Sequence, residues 1–153
     1  MIGRLPILGA AAIMTAAAAT AQEREWSWGT SDTEAYLVFG VPESEDVGIS
    51  FWCPIGSGEV RVFIADANAS LVADIDTAIE FTAGETQVSV PARTMPNELD
   101  ATTSAEGVLA ADSPLFPAIG TVDRFIVAVS GESQTFPSAG QDIANLLDSC
   151  KKR

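Results

Sequence analysis

The chain carries two cysteines, Cys53 and Cys150, together with 21 carboxylates and no histidine. Those counts decide most of the available chemistry. Without an imidazole, a Ser–His–Asp triad and a His-based metal centre are excluded by composition. A nucleophilic cysteine wants an imidazole or a cationic neighbour, and the chain holds no imidazole at all. No CxxC, GxxxxGK or GxGxxG occurs, and GSG at 56–58 reads as a hairpin turn rather than a phosphate cradle. Paired carboxylates are the one catalytic device left. With so many acids, two will fall close by chance, and nothing marks out a glycosidase pair. No group of nucleophile, base and orienter is in evidence, so the residues predict neither an enzyme nor a cofactor.

A calcium site is the strongest of the metal readings. In DANASLVADID at 66–76, Asp66, Asn68 and Ser70 take the first three oxygen-ligand positions of a calcium loop, and Asp74 a later one. Leu71 then stands where the sharp turn needs Gly, and Thr77 where a bidentate Glu must close the site. An EF-hand is rejected. The segment reads as a solvated turn, with Asp66, Asn68 and Asp74 as candidates for a looser surface calcium site. NAS at 68–70 also matches the glycosylation sequon.

The two cysteines are read as a disulfide, given the compartment that the start of the sequence predicts. Met1–Arg4 is a short positive start, LPILGAAAIMTAAAA is apolar, and ATA at 19–21 supplies small residues before a polar QERE. That layout predicts a secretory signal over residues 1–21, cleaved between Ala21 and Gln22, and a mature chain in the periplasm or outside the cell. The apolar run is shorter than the roughly 20 residues a membrane span needs. No later segment is long and apolar enough to span a bilayer, so the mature chain is not expected to be membrane-embedded. An even pair of cysteines in an exported chain favours a disulfide. Closing a loop of 97 positions stabilises a fold by about 4–5 kcal/mol in the chain-entropy model.

Residues 22–153 form one domain's worth of chain. They hold seven basic residues against 21 acidic ones, a balance of −14. Such a surface repels nucleic acid and anionic lipid, and it favours cations or basic proteins.

The elements that must position these residues are mostly short strands. EREWSWGTSDTE is a polar lead-in, in which Trp26 and Trp28 share one face if the segment is extended. AYLVFGV at 35–41 and VGISFWC at 47–53 read as a hairpin. Ile49, Phe51 and Cys53 share one face of it, which sends Trp52 to the other. PIGSG at 54–58 is a turn into EVRVFIA. Residues 70–81 fit both strand and helix periods; their branched residues and the following AGE turn favour a strand. TQVSVPA at 86–92 reads as a strand closed by Pro91, followed by a connection into a polar strand around 101–109. DSPLFPAIG predicts a short helix with Ser113 as cap and Pro114 at its first position. RFIVAVS at 124–130 is a strand. In the final segment, Ile143, Leu146, Leu147 and Cys150 lie at helical spacing, which predicts a helix over 140–150. The expected fold is a mainly β, antiparallel sandwich or small barrel with a C-terminal helix pinned by the disulfide.

AYLVFGVPESEDVGISFWC, EVRVFI and DIANLLDSC together resemble a group of small uncharacterised periplasmic proteins of proteobacteria, which pair a strand cysteine with one in a terminal helix. That resemblance implies a disulfide-stapled β domain and no catalytic residues. FWCPIGSGEVRVF is more distantly similar to the membrane-bound lysozyme inhibitors, small β-barrels that insert a loop into the lysozyme cleft. Their second loop motif, with Tyr, Thr and Lys, has no counterpart here.

The sequence therefore predicts a non-catalytic binding or structural module, with Trp26, Trp28 and Trp52 as anchors toward a basic partner. The alternative from the second resemblance is an inhibitor of a basic envelope hydrolase, acting through Ser57 and Glu59. A third is a calcium-dependent surface module.

Overall fold

The computed structural model describes residues 22–97 and 102–152, and the predicted signal segment 1–21 lies outside them. Nine strands and two helices follow one another along the chain. The first four strands are β1 (Glu25–Thr30), β2 (Glu34–Gly40), β3 (Val47–Pro54) and β4 (Glu59–Ile64). They are followed by β5 (Asp76–Ala83), β6 (Thr86–Asn97) and β7 (Thr102–Ala110). Helix α1 (Leu115–Thr121), strands β8 (Arg124–Val129) and β9 (Glu132–Pro137), and helix α2 (Gly140–Cys150) complete the chain. All strands join one antiparallel sheet in the order β1-β2-β3-β4-β7-β6-β5-β8-β9. The sheet curls until its two edges approach, and the Trp26 indole N–H on β1 donates to the Pro137 carbonyl at the end of β9, at 3.2 Å. The expected mainly-β fold with a disulfide-pinned terminal helix is the fold observed.

Alternation explains which face is buried. Leu37, Phe51 and Val62 stand opposite one another on β2, β3 and β4, and all three are fully buried. Ile79 and Phe81 of β5 and Val127 and Val129 of β8 continue the same inner face. Phe51 sits at the middle, against Phe81 at 6.5 Å and edge-on to Phe116 of α1 at 6.1 Å. Leu115, Phe116 and Ile119 drive α1 into this core, and Ile143, Leu146 and Cys150 drive α2. Both helices thus cover the inside of the curl, with α2 packed on α1 and against β1, β2 and β3.

Three expectations are corrected. The polar lead-in is an edge strand, β1, whose ladder with β2 runs from Glu25 to Thr30. Residues 70–75 are loop, and the strand expected over 70–81 begins at Asp76. Pro91 does not end its strand, because β6 continues to Asn97. A proline is tolerated in a strand where no ladder bond needs its N–H. Pro91 stands one residue before the register with β7 begins at Ala92. The short helix forms as expected, but Pro114 occupies the cap position itself, and the Ser113 hydroxyl accepts from the Leu115 N–H at 3.3 Å.

The sheet order forces the β4–β5 connection, residues 65–75, to pass the ends of two intervening strands. Hydroxyls from those strands hold it. Thr94 of β6 accepts the Ile75 N–H at 2.9 Å and donates to the Val72 carbonyl at 2.8 Å. Thr103 of β7 donates to the Leu71 carbonyl at 2.7 Å. Both threonines are buried, and so is Asn68, whose amide donates to the Val129 carbonyl at 2.9 Å.

Candidate functional site

The staple comes first, because it fixes β3. Cys53 and Cys150 form a disulfide with Cα atoms 5.7 Å apart, and neither residue is exposed. A helix leaves its last carbonyls without intrahelical donors. Here the β3–β4 turn supplies them: the Gly56 N–H donates to the Ser149 carbonyl at 2.8 Å and the Gly58 N–H to the Cys150 carbonyl at 2.7 Å. Gly58 has φ +78°, and a Cβ there would lie 2.9 Å from Cγ of Lys152. Ser57 closes the turn on itself, accepting the Glu59 N–H at 3.2 Å and donating to the Glu59 carbonyl at 3.0 Å. Ser57 is therefore half-buried in a turn docked on the helix end, while the Glu59 side chain is exposed.

With β3 fixed and Phe51 and Cys53 inward, Trp52 points to the outer face, away from both helices, as alternation predicts. One register row crosses four neighbouring strands there: Tyr36 of β2 opposite Trp52 of β3, Trp52 opposite Arg61 of β4, and Arg61 opposite Val108 of β7. Directly opposite side chains in such a ladder are about 5 Å apart at Cβ, so the row is continuous. Tyr36 is 45% exposed and Val108 47%. The Arg61 guanidinium lies over the Trp52 ring, 4.8 Å from its centroid, a cation–π geometry. On β1 the row ends at Gly29, where a Cβ would sit 2.4 Å from the Tyr36 hydroxyl, so the tyrosine ring lies flat across the glycine. The adjacent outer row brings Val38, Ser50, Phe63 and Glu106 opposite one another, with Val38 and Phe63 half-buried.

The other tryptophans face inward and fare differently. Trp26 lies at the rim of the core, 5.2 Å from the Phe39 ring and stacked near Phe51 and Phe125. Trp28, opposite Leu37, remains 38% exposed. The outer row holds Trp52 alone of the three.

The calcium candidates are used within the fold. Asn68 is 3% exposed, and its side-chain oxygen accepts the Ser70 N–H at 2.9 Å. Asp66 accepts from the Thr102 hydroxyl, and Asp74 sits in a left-handed turn at φ 62°. No cluster of three or more metal-ligating side chains occurs among the described residues. The burial of Asn68 also removes the sequon from the folded surface.

Two grooves flank Glu80 on the outer face of β5, one bordered by Thr82 and Ser89 and the other by Thr77 and Ser130. Both are open to solvent and neither gathers the groups of an acid–base pair. No described helix is long and apolar enough to cross a membrane.

Sequence reasoning found Trp52 but missed Tyr36 and Val108. Alternation about Ala35 and Leu37 was enough to turn Tyr36 outward. Val108 was out of reach, because nothing local to 102–110 reveals that β7 lies beside β4. Comparison with protein-family models, with curated proteins and with solved structures finds no match for the chain.

Proposed function

We propose that this chain is a non-catalytic binding module, exported to the periplasm or beyond, whose acidic surface meets a basic protein. The observation that carries this reading is the disposition of charge. Every described Asp and Glu keeps contact with solvent, and all but Glu106 and Asp142 are exposed. Three ion pairs, Arg24–Asp46, Arg93–Asp76 and Lys151–Asp148, neutralise only three of those acids among the described residues. The remainder form an uncompensated negative surface, which raises encounter rates with cationic partners.

The test is a tagged pull-down of the exported protein from envelope extract at low and at physiological salt. Exposed charges are screened beyond about 8 Å at physiological ionic strength. A stoichiometric basic partner, retained at low salt and weakened by added salt, is the expected result. Retention of no partner at either salt would overturn the reading.

A further inference from the structure

We propose that the outer face of β2, β3, β4 and β7 is the docking surface of this module, and that it takes a cationic segment of a protein with apolar side chains between its charges. This rests on the basic-partner reading and gives it an address.

The face is mostly apolar at its centre, around Arg61 and Ser50. Tyr36, Trp52 and Val108 share one row, Val38 and Phe63 the next, and both helices pack on the opposite side of the sheet. The core is filled from the inner face of the curled sheet, and this cluster lies outside it. Its rim is acidic. Glu34 lies two residues from Tyr36 on β2, Glu59 two residues from Arg61 on β4, and Glu106 opposite Phe63 in the second row. Period-two alternation puts all three on the outer face, and none is in an ion pair among the described residues. Neither nearby cation is in an ion pair with the rim: Arg93, opposite Glu106 in the β6–β7 ladder, bonds Asp76 at 3.2 Å, and Arg61 rests on the Trp52 ring.

An apolar centre with a charged rim is the layout of a protein contact. The sign of the rim selects the partner's charge, since a like-charged segment is repelled and a cationic one finds three unpaired carboxylates. Four strands spaced about 4.8 Å apart give a face about 14 Å across. That width suits one strand, hairpin or helix rather than a broad globular surface. The Arg61–Trp52 stack already shows a guanidinium on an aromatic ring of this face.

The experiment measures binding of two synthetic probes to the exported protein by calorimetry at low salt. One is a hexapeptide of alternating Arg and Trp, the other a hexalysine. The variant is the double substitution Tyr36→Thr and Val108→Thr, which keeps charge and strand propensity at two exposed positions. Its fold is checked by an unchanged melting curve. The expected result is a loss of about tenfold in affinity for the Arg–Trp probe, with hexalysine binding unaltered. A second variant, Val108→Arg, should weaken both probes. Equal affinity of wild type and the Thr variant for the Arg–Trp probe would overturn the docking surface while leaving the basic-partner reading intact. If wild type binds neither probe, both fall.

Discussion

The N–H of Gly58 donates to the carbonyl of Cys150 at 2.7 Å, so the β3–β4 turn is tied to the end of α2 through the main chain as well as through the disulfide. The left-handed φ of +78° disfavours a side chain at that position, and a Cβ there would press on the Lys152 side chain. Gly58→Ala should therefore destabilise the fold by about 1–2 kcal/mol. Urea denaturation followed by circular dichroism checks it, and a midpoint equal to wild type would contradict it.

The disulfide itself is expected to contribute about 2–4 kcal/mol, the range typical of single bridges. The Cys53→Ser, Cys150→Ser double variant should lose that much in the same denaturation experiment. Because both cysteines are fully buried, a reductant meets the bond only when α2 lifts from the sheet. Mass spectrometry after alkylation should find free thiols appearing slowly in native buffer and much faster in guanidinium below the unfolding midpoint. A reduction rate insensitive to denaturant would place the bridge in solvent.

Thr94 is the buried hydroxyl that holds the long connection between β4 and β5. Thr94→Val preserves shape but leaves the Ile75 N–H and the Val72 carbonyl without their partner. The expected cost is about 1–3 kcal/mol. Hydrogen exchange should quicken first at the Leu71, Asp74 and Ile75 amides, ahead of the β2 and β3 ladders. Uniform acceleration across the sheet would mean that the loop has no separate anchorage.

Trp26 and Trp28 share a face but not a role. Trp26→Ala removes an indole packed against three phenylalanines and should cost about 3–5 kcal/mol. Trp28→Ala, at a position 38% exposed, should cost far less, about 1 kcal/mol. Comparable losses would show that Trp28 too is a core residue.

Much of this architecture was legible because period and composition agreed. The alternation of Ile49, Phe51 and Cys53 predicted both the buried face of β3 and the outward turn of Trp52. The spacing of Ile143, Leu146 and Cys150 predicted α2, which spans Gly140–Cys150. What was not legible depended on neighbours distant in sequence. Pro91 looks like a strand end until β7 is seen to join only at Ala92. The segment 70–75 carries an apolar rhythm, yet it is a loop because it must cross β7 and β6. Asn68, a candidate ligand in a turn read as solvated, is instead buried with its amide on the Val129 carbonyl of β8. Of the candidate surface, Trp52 and the rim residue Glu59 announced themselves; Val108 joins the row only because β4 and β7 pair.

The packing of α2 on β1, β2 and β3 also sets an order of assembly. Those strands precede the other elements in the chain, while the helix that covers their inner face, and the thiol that locks it there, come after every strand. Phe51 meets Phe81 and Phe116 before α2 is made, but Cys53 has no partner until Cys150. Without α2, the curled sheet of β1 to β4 keeps one unpaired thiol facing its interior. The β5–β6–β7 and β8–β9 hairpins, whose partners are adjacent in the chain, need no such wait. The last element to join this fold is α2, and interruption before it leaves the inner face of β1, β2 and β3 without its helix.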